Sequence, residues 1–172
     1  EIANAEHLAM SDSAGMINLS HFAIMDIEGS DAERMLEHLS VAKIGGDTPE
    51  DRIIYTNFLD EDGGVHADLT ISRLGKDRYR VVTGGADGNR DWVTLRNYRD
   101  DMGFEADINI RTHDMATLGL WGPTAKDALG HFIDPNEISI ENFPFVAAKY
   151  LTLNLSGAKT IDVWAARISY VG

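Results

Sequence analysis

The sequence predicts an α+β protein, with antiparallel sheets and helices flanking them. Strand-like runs lie next to one another across short turns rich in Asp and Gly, as hairpins do, and amphipathic helical patterns separate these groups. Apolar residues make up 44 % of the 172, enough for a real core. A parallel, doubly wound sheet would instead alternate single strands with helices.

Taken in order, Ile2 to Ser13 is a predicted helix, since Ile2, Ala5, Leu8 and Ala9 share one face, and Gly15 stops it. Met16 to Glu28 reads as one long extended segment. Its second half alternates: Phe22, Ile24 and Asp26 face one way, and Ala23, Met25 and Ile27 the other. Gly29 ends it, and Ser30 with Glu33 forms a capping box for a helix carrying Met35, Leu36 and Leu39 inward. Val41 to Arg52, rich in Gly, Asp and Pro, reads as loop.

The character then changes. Ile53 to Leu59 is strand-like by its β-branched and aromatic content, and Asp60-Glu61-Asp62-Gly63-Gly64 is a hairpin turn. Val65 to Leu74 returns, Gly75-Lys76-Asp77 turns again, and Arg78 to Thr83 completes a three-stranded meander. Gly84 and Gly85 break it before a helix over Asp87 to Asp101, with Trp92, Leu95, Tyr98 and Met102 inward. Ala106 to Arg111 and Met115 to Leu120 read as strands. Gly122-Pro123 starts a helix over Thr124 to Phe132, since the proline ring suits a first helical turn. Two last strands, Ala147 to Leu155 and Thr160 to Tyr170, meet at Ser156-Gly157-Ala158.

Composition narrows the function. A formal net charge of -13 repels phosphate backbones and anionic lipid, which argues against nucleic-acid and membrane partners. No apolar run approaches the roughly 18 residues that span a bilayer. Arg90, Arg96 and Arg99 alternate with Asp91, Asp100 and Asp101, the pattern of a solvated helix face. With no cysteine there is no disulfide, thiolate metal site or cysteine nucleophile, and a reducing compartment is compatible.

Most motif candidates fail on spacing. Gly84-Gly85-Ala86-Asp87-Gly88 sits where a dinucleotide loop would, yet matches neither that fingerprint nor a Walker loop. It reads as a tight strand-to-helix turn, in which glycine would also let backbone approach a flat ligand. Asp60 to Gly63 resembles the start of a calcium loop, but Gly64 and Ile71 stand where ligands are needed. The six histidines include no pair at metal-ligand spacing, and no serine elbow exists. No metal is expected. Asp68 stands out as a carboxylate inside a strand, where Asp is disfavoured. Alternation puts His66, Asp68 and Thr70 on one face, either solvated or lining a cleft suited to a ligand rich in N–H groups.

Six phrases in order resemble the folate-binding domain family of the glycine-cleavage T-protein (aminomethyltransferase). They are Gly15 to Phe22 (GMINLSHF), Ile54 to Asp60 (IYTNFLD), Gly63 to Thr70 (GGVHADLT), Val81 to Gly84 (VVTG), Leu118 to Pro123 (LGLWGP) and Arg167 to Gly172 (RISYVG). Asn18 replaces the family's usual Asp, and Ala67 the first of two acids. The VVTGG phrase and the RISYVG ending look most like the copies attached to dimethylglycine and sarcosine dehydrogenases.

The resemblance implies the T-protein folate-binding fold over residues 1–172, with a meander-plus-helix subdomain at about 50–112. It also implies that the family's following Glu segment and C-terminal barrel are missing from these residues, so catalysis by them alone is not expected. Tetrahydrofolate is the implied cofactor, with FAD only in an upstream flavin dehydrogenase domain or subunit. The implied activity is capture of a methyl-derived iminium or formaldehyde, from an N-methyl amine of the dimethylglycine or sarcosine type, as 5,10-methylene-tetrahydrofolate. Asp68 and Tyr170 would be catalytic, and Tyr55, Thr70, Gly84 and Tyr170 would hold the folate. The implied location is the cytoplasm, or the mitochondrial matrix in a eukaryote. Two alternatives stay open: a tetrahydrofolate-dependent O- or S-demethylase domain, and a non-catalytic docking module on the same fold.

Overall fold

The computed structural model describes residues 2–169. In chain order the elements are α1 (Ile2–Asp12), β1 (Gly15–Asn18), β2 (Ala23–Glu28), α2 (Ala32–Leu39), β3 (Ile53–Leu59), β4 (Val65–Gly75), β5 (Arg78–Thr83), α3 (Gly88–Met102), β6 (Asp107–Ile110), β7 (Leu118–Trp121), α4 (Ala125–Leu129), β8 (Ala147–Leu155) and β9 (Lys159–Arg167). They group into two compact units, one spanning Ser20–Thr117 and the other made from the segments before and after it.

The Ser20–Thr117 unit is built on a five-stranded sheet of order β3-β4-β5-β2-β6, antiparallel throughout. The expected three-stranded meander is present as β3, β4 and β5. The meander and helix expected at about 50–112 lie inside this larger unit, which also takes in β2 and α2. β2 slots between β5 and β6.

Side chains alternate across a strand, so the sheet has two distinct faces. On one, Met25, Ile27, Phe58, Ala67, Leu69, Ile71, Tyr79 and Val81 pack with Met35 and Leu36 of α2 and Leu95 of α3 into a single buried cluster. Trp92 and Tyr98 join its rim, whereas Met102, expected inward, is half exposed. Tyr79 is buried there and donates its hydroxyl hydrogen to Glu33 at 2.8 Å. Burial first, and then this bond to a carboxylate, push its phenol well above the usual range.

The opposite face carries Tyr55, Asn57, Asp68, Thr70, Ser72, Arg80, Ile24 and Asp26. Arg80 and Asp26 stand directly opposite in register. The guanidinium, 4 % exposed, grips both carboxylate oxygens, Nε to Oδ1 at 2.7 Å and Nη2 to Oδ2 at 2.9 Å. This two-pronged geometry offsets the desolvation of the pair and ties β2 to β5.

The second unit has a small core of Ile133, Ile138, Phe143 and Leu151 beneath the β8–β9 hairpin. The side chains of Lys149 and Arg167 flank the Phe143 ring at 5.5 and 5.1 Å. β1 and β7 form a separate two-stranded ladder. After β7, Gly122 holds φ at 107° with the carbonyls of Ser13 and Met10 against it, a conformation and a space that only glycine accepts.

Three local expectations fail, the first two because a side chain finds a distant partner. The long strand Met16 to Glu28 is two strands in two sheets. Ser20 exchanges hydrogen bonds with the backbone of Thr117, at 3.0 Å from its N–H and 3.4 Å to its carbonyl, in place of a ladder. The Ser30–Glu33 capping box does not form. Ser30 turns to Glu105, Glu33 binds Tyr79 and the Gly46 N–H, and α2 starts after Asp31. The helix expected over Thr124 to Phe132 stops at Leu129.

The break after β5 offers a direct stability test. A Cβ on Gly85 would drive into the backbone carbonyl of His21, while one on Gly84 would meet nothing within 4 Å. Gly85→Ala is expected to lose about 2 kcal/mol in urea unfolding, as overpacking of a rigid contact does, and Gly84→Ala to change stability little.

Candidate functional site

The register of the β3–β4 hairpin brings the sequence-predicted residues together. Tyr55 lies opposite Thr70, and Asn57 opposite Asp68. Tyr55 thus reaches diagonally to its neighbour's partner, and its hydroxyl donates to Asp68 Oδ2 at 2.8 Å. Tyr55 is 66 % exposed, Asp68 is exposed and Thr70 half-buried. The second oxygen, Oδ1, has no hydrogen bond from any described residue. Among the described residues, none forms an ion pair with Asp68. The site is therefore a fixed carboxylate with one oxygen occupied and one open, on the sheet face away from the helices.

Tyr55 in turn feels its partner. The bond to Asp68, and then the nearby negative charge, raise its phenol above the ordinary value of 10.0. Ionising it would lose the donated hydrogen and set two anions side by side.

Gly84 follows β5 directly and is exposed, with open space where a side chain would sit. Tyr170 lies outside the described residues. Concave regions of about 550 and 430 Å³ are lined by Lys43, Asp47, Thr48, Pro49 and Arg52, and by Asp31, Arg34, Glu37, Arg73 and Lys76. Neither includes Tyr55, Asp68, Thr70 or Gly84. Among the described residues no group of three or more His, Asp or Glu side chains is placed to hold a metal ion, and no helix is long and apolar enough to cross a membrane.

Two side chains depart from their sequence reading. His66 does not share the open face with Asp68. The ladder shifts between Phe58 and Leu59, leaving His66 as the unpaired residue of a bulge between Val65 and Ala67. Its imidazole turns to α3, where Nε2 lies 2.9 Å from Thr94 Oγ1. Asp91, read as part of a solvated face, is 0 % exposed. It accepts from Thr83 Oγ1 at 2.7 Å and from Arg90 Nη2 at 3.1 Å, and lies 3.9 Å from His66 Nε2. One signal was present: Asp91 falls four residues before Leu95, on the helical stripe that carries the apolar contacts.

The antiparallel α+β architecture is shared with a solved T-protein. The chain matches the crystal structure of glycine cleavage system aminomethyltransferase T from Bartonella henselae with a TM-score of 0.71. That match covers 84 % of this chain and 37 % of that one at 23 % identity. The chain belongs to the family described as the GCVT N-terminal domain, whose model matches residues 1–172. It is 29 % identical to mitochondrial sarcosine dehydrogenase of Mus musculus, over 97 % of this chain and 19 % of that protein. It is 30 % identical to 4-methylaminobutanoate oxidase (formaldehyde-forming) of Paenarthrobacter nicotinovorans, over 97 % and 19 %. An aminomethyltransferase of Herpetosiphon aurantiacus is 28 % identical over 79 % of the chain and 37 % of its own length. The chain thus spans a fifth to two-fifths of these relatives.

The Tyr55–Asp68 bond has a pH signature. A phenol whose value is raised in the folded state keeps its proton through the ordinary titration range and loses it only at higher pH. Isotope-labelled tyrosine NMR is expected to show Tyr55 titrating above 10.0, and Asp68→Asn to bring the midpoint back toward that value.

Proposed function

We propose that this domain binds tetrahydrofolate at the Asp68 face and captures on it a one-carbon unit drawn from an N-methyl amine, releasing 5,10-methylene-tetrahydrofolate. The observation that carries the reading is the half-occupied Asp68 carboxylate. A reduced pterin presents N–H donors along a flat edge, and an anchored anion with an open oxygen fits such an edge. Asp68 is exposed and, among the described residues, outside any ion pair, as a ligand-binding acid would be.

Tetrahydrofolate would supply the amine nucleophile. The protein's share is orientation and one proton. Tyr55 fixes the Asp68 rotamer through Oδ2, leaving Oδ1 to accept an N–H hydrogen or take the proton shed as the new bond forms. Thr70 adds a hydroxyl on the same face, and the bare backbone at Gly84 admits a ring at the end of β5. Tyr170 is assigned to the reactive side by resemblance to the family. Holding the two reactants together accounts for most of the required rate enhancement.

The names of two relatives favour an N-methyl amine as donor. Sarcosine is an N-methyl amino acid and 4-methylaminobutanoate an N-methyl amine, and the second enzyme is named for forming formaldehyde. A flavin dehydrogenase domain or subunit is the proposed partner that oxidises the methyl group. The proposed compartment is the cytoplasm or the mitochondrial matrix, and the mouse relative is mitochondrial by name.

Calorimetric titration with 5-formyl-tetrahydrofolate tests the assignment. Saturable binding is expected, weakened about ten- to a hundredfold by Asp68→Ala, the worth of one charge-assisted hydrogen bond. Gly84→Ala is expected to weaken it as well without loss of stability. Unchanged affinity in Asp68→Ala would overturn the assignment, and a 5-methyl product from the full enzyme would point to O- or S-demethylation.

A further inference from the structure

Asp91 is fully buried, carries a charge and touches no part of the open face, yet its partners border the Asp68 site on both sides. Thr83, which donates to Asp91 Oδ2, precedes Gly84 and pairs in register with Leu69, the residue after Asp68. Arg90 holds Asp91 Oδ1 through Nε at 3.2 Å and Nη2 at 3.1 Å, and the same Nη2 donates to the His66 carbonyl at 2.7 Å. Arg90 Nη1 is pinned to Asp87 at 3.0 Å. The His66 ring, bonded to Thr94, lies 3.9 Å from the same carboxylate. The carbonyl that Arg90 captures belongs to the bulged residue, which has no ladder partner on β3. The bulge sets which way every following β4 side chain points, Asp68 included.

We propose that Asp91 is a positioning residue for the Asp68 site: through Arg90 and Thr83 it clamps the β4 bulge to the end of β5, and so sets where Asp68 stands relative to Tyr55 and Gly84. The inference rests on the folate reading for its consequence in binding, but not for its consequence in geometry. Removing the Asp91 charge would free the guanidinium from one anchor, let the bulge slide, and lengthen the Tyr55–Asp68 bond without any direct contact.

The test compares Asp91→Asn, Arg90→Gln, Thr83→Val and Thr83→Ser in the full chain, each checked for native circular dichroism. The Tyr55 titration midpoint reads the Asp68 geometry, and 5-formyl-tetrahydrofolate affinity reads its use. The first three variants are expected to lower the Tyr55 midpoint and weaken binding about tenfold, and Thr83→Ser, which keeps the hydroxyl, to retain both. Native-like Arg90→Gln and Thr83→Val with an unmoved Tyr55 midpoint would overturn the positioning role, and these two decide it if Asp91→Asn does not fold. If the unaltered chain takes up no 5-formyl-tetrahydrofolate, the folate reading falls, and the Tyr55 midpoint still decides the clamp.

Discussion

Two helices lie on one face of the five-stranded sheet, and that one-sided coverage governs everything else in the unit. Because neighbouring side chains of a strand point to opposite faces, covering one face with α2 and α3 commits Met25, Ile27, Phe58, Leu69, Ile71, Tyr79 and Val81 to the core. The intervening residues are left for other uses. Asp68 stands between Ala67 and Leu69, both buried, so it points to the face away from the helices.

The open face uses its charged groups in two different ways. Asp26 and Arg80 neutralise one another through two short bonds and hold adjacent strands together. Among the described residues Asp68 has a phenol for a partner, which fixes its direction and leaves one oxygen available. Two carboxylates on one face are thus partnered differently, one by the guanidinium directly across the ladder and the other by a phenol on the diagonal.

Membership of the GCVT N-terminal domain family does not by itself assign a reaction, since relatives named as a dehydrogenase, an oxidase and a transferase share this domain. Common to those names is an N-methyl or aminomethyl group, one carbon on nitrogen. A domain that orients such a carbon against an acceptor needs few chemical groups of its own. The β3–β4–β5 meander presents one oriented acid, Asp68, and open space at Gly84.

Much of this was legible in the sequence, because the signals were local. Alternation, turn residues and propensity identified the meander, and two-residue spacing put Asp68 and Thr70 on one face with Tyr55 across the hairpin. Resemblance to the folate-binding family added Tyr55, Thr70 and Gly84 to Asp68, which its place inside a strand had already singled out. Only the tertiary structure decided the rest. Whether Met16 to Glu28 runs as one strand depended on a serine meeting the backbone of Thr117, 97 positions later. Whether His66 kept step with Asp68 depended on a bulge that α3 stabilises from outside the strand. Asp91 looked like one more surface acid among arginines, since a charge pattern along a helix does not say which face meets the core. Local periodicity sets what each segment prefers, while the burial and pairing of charges are set by chain brought together from far apart.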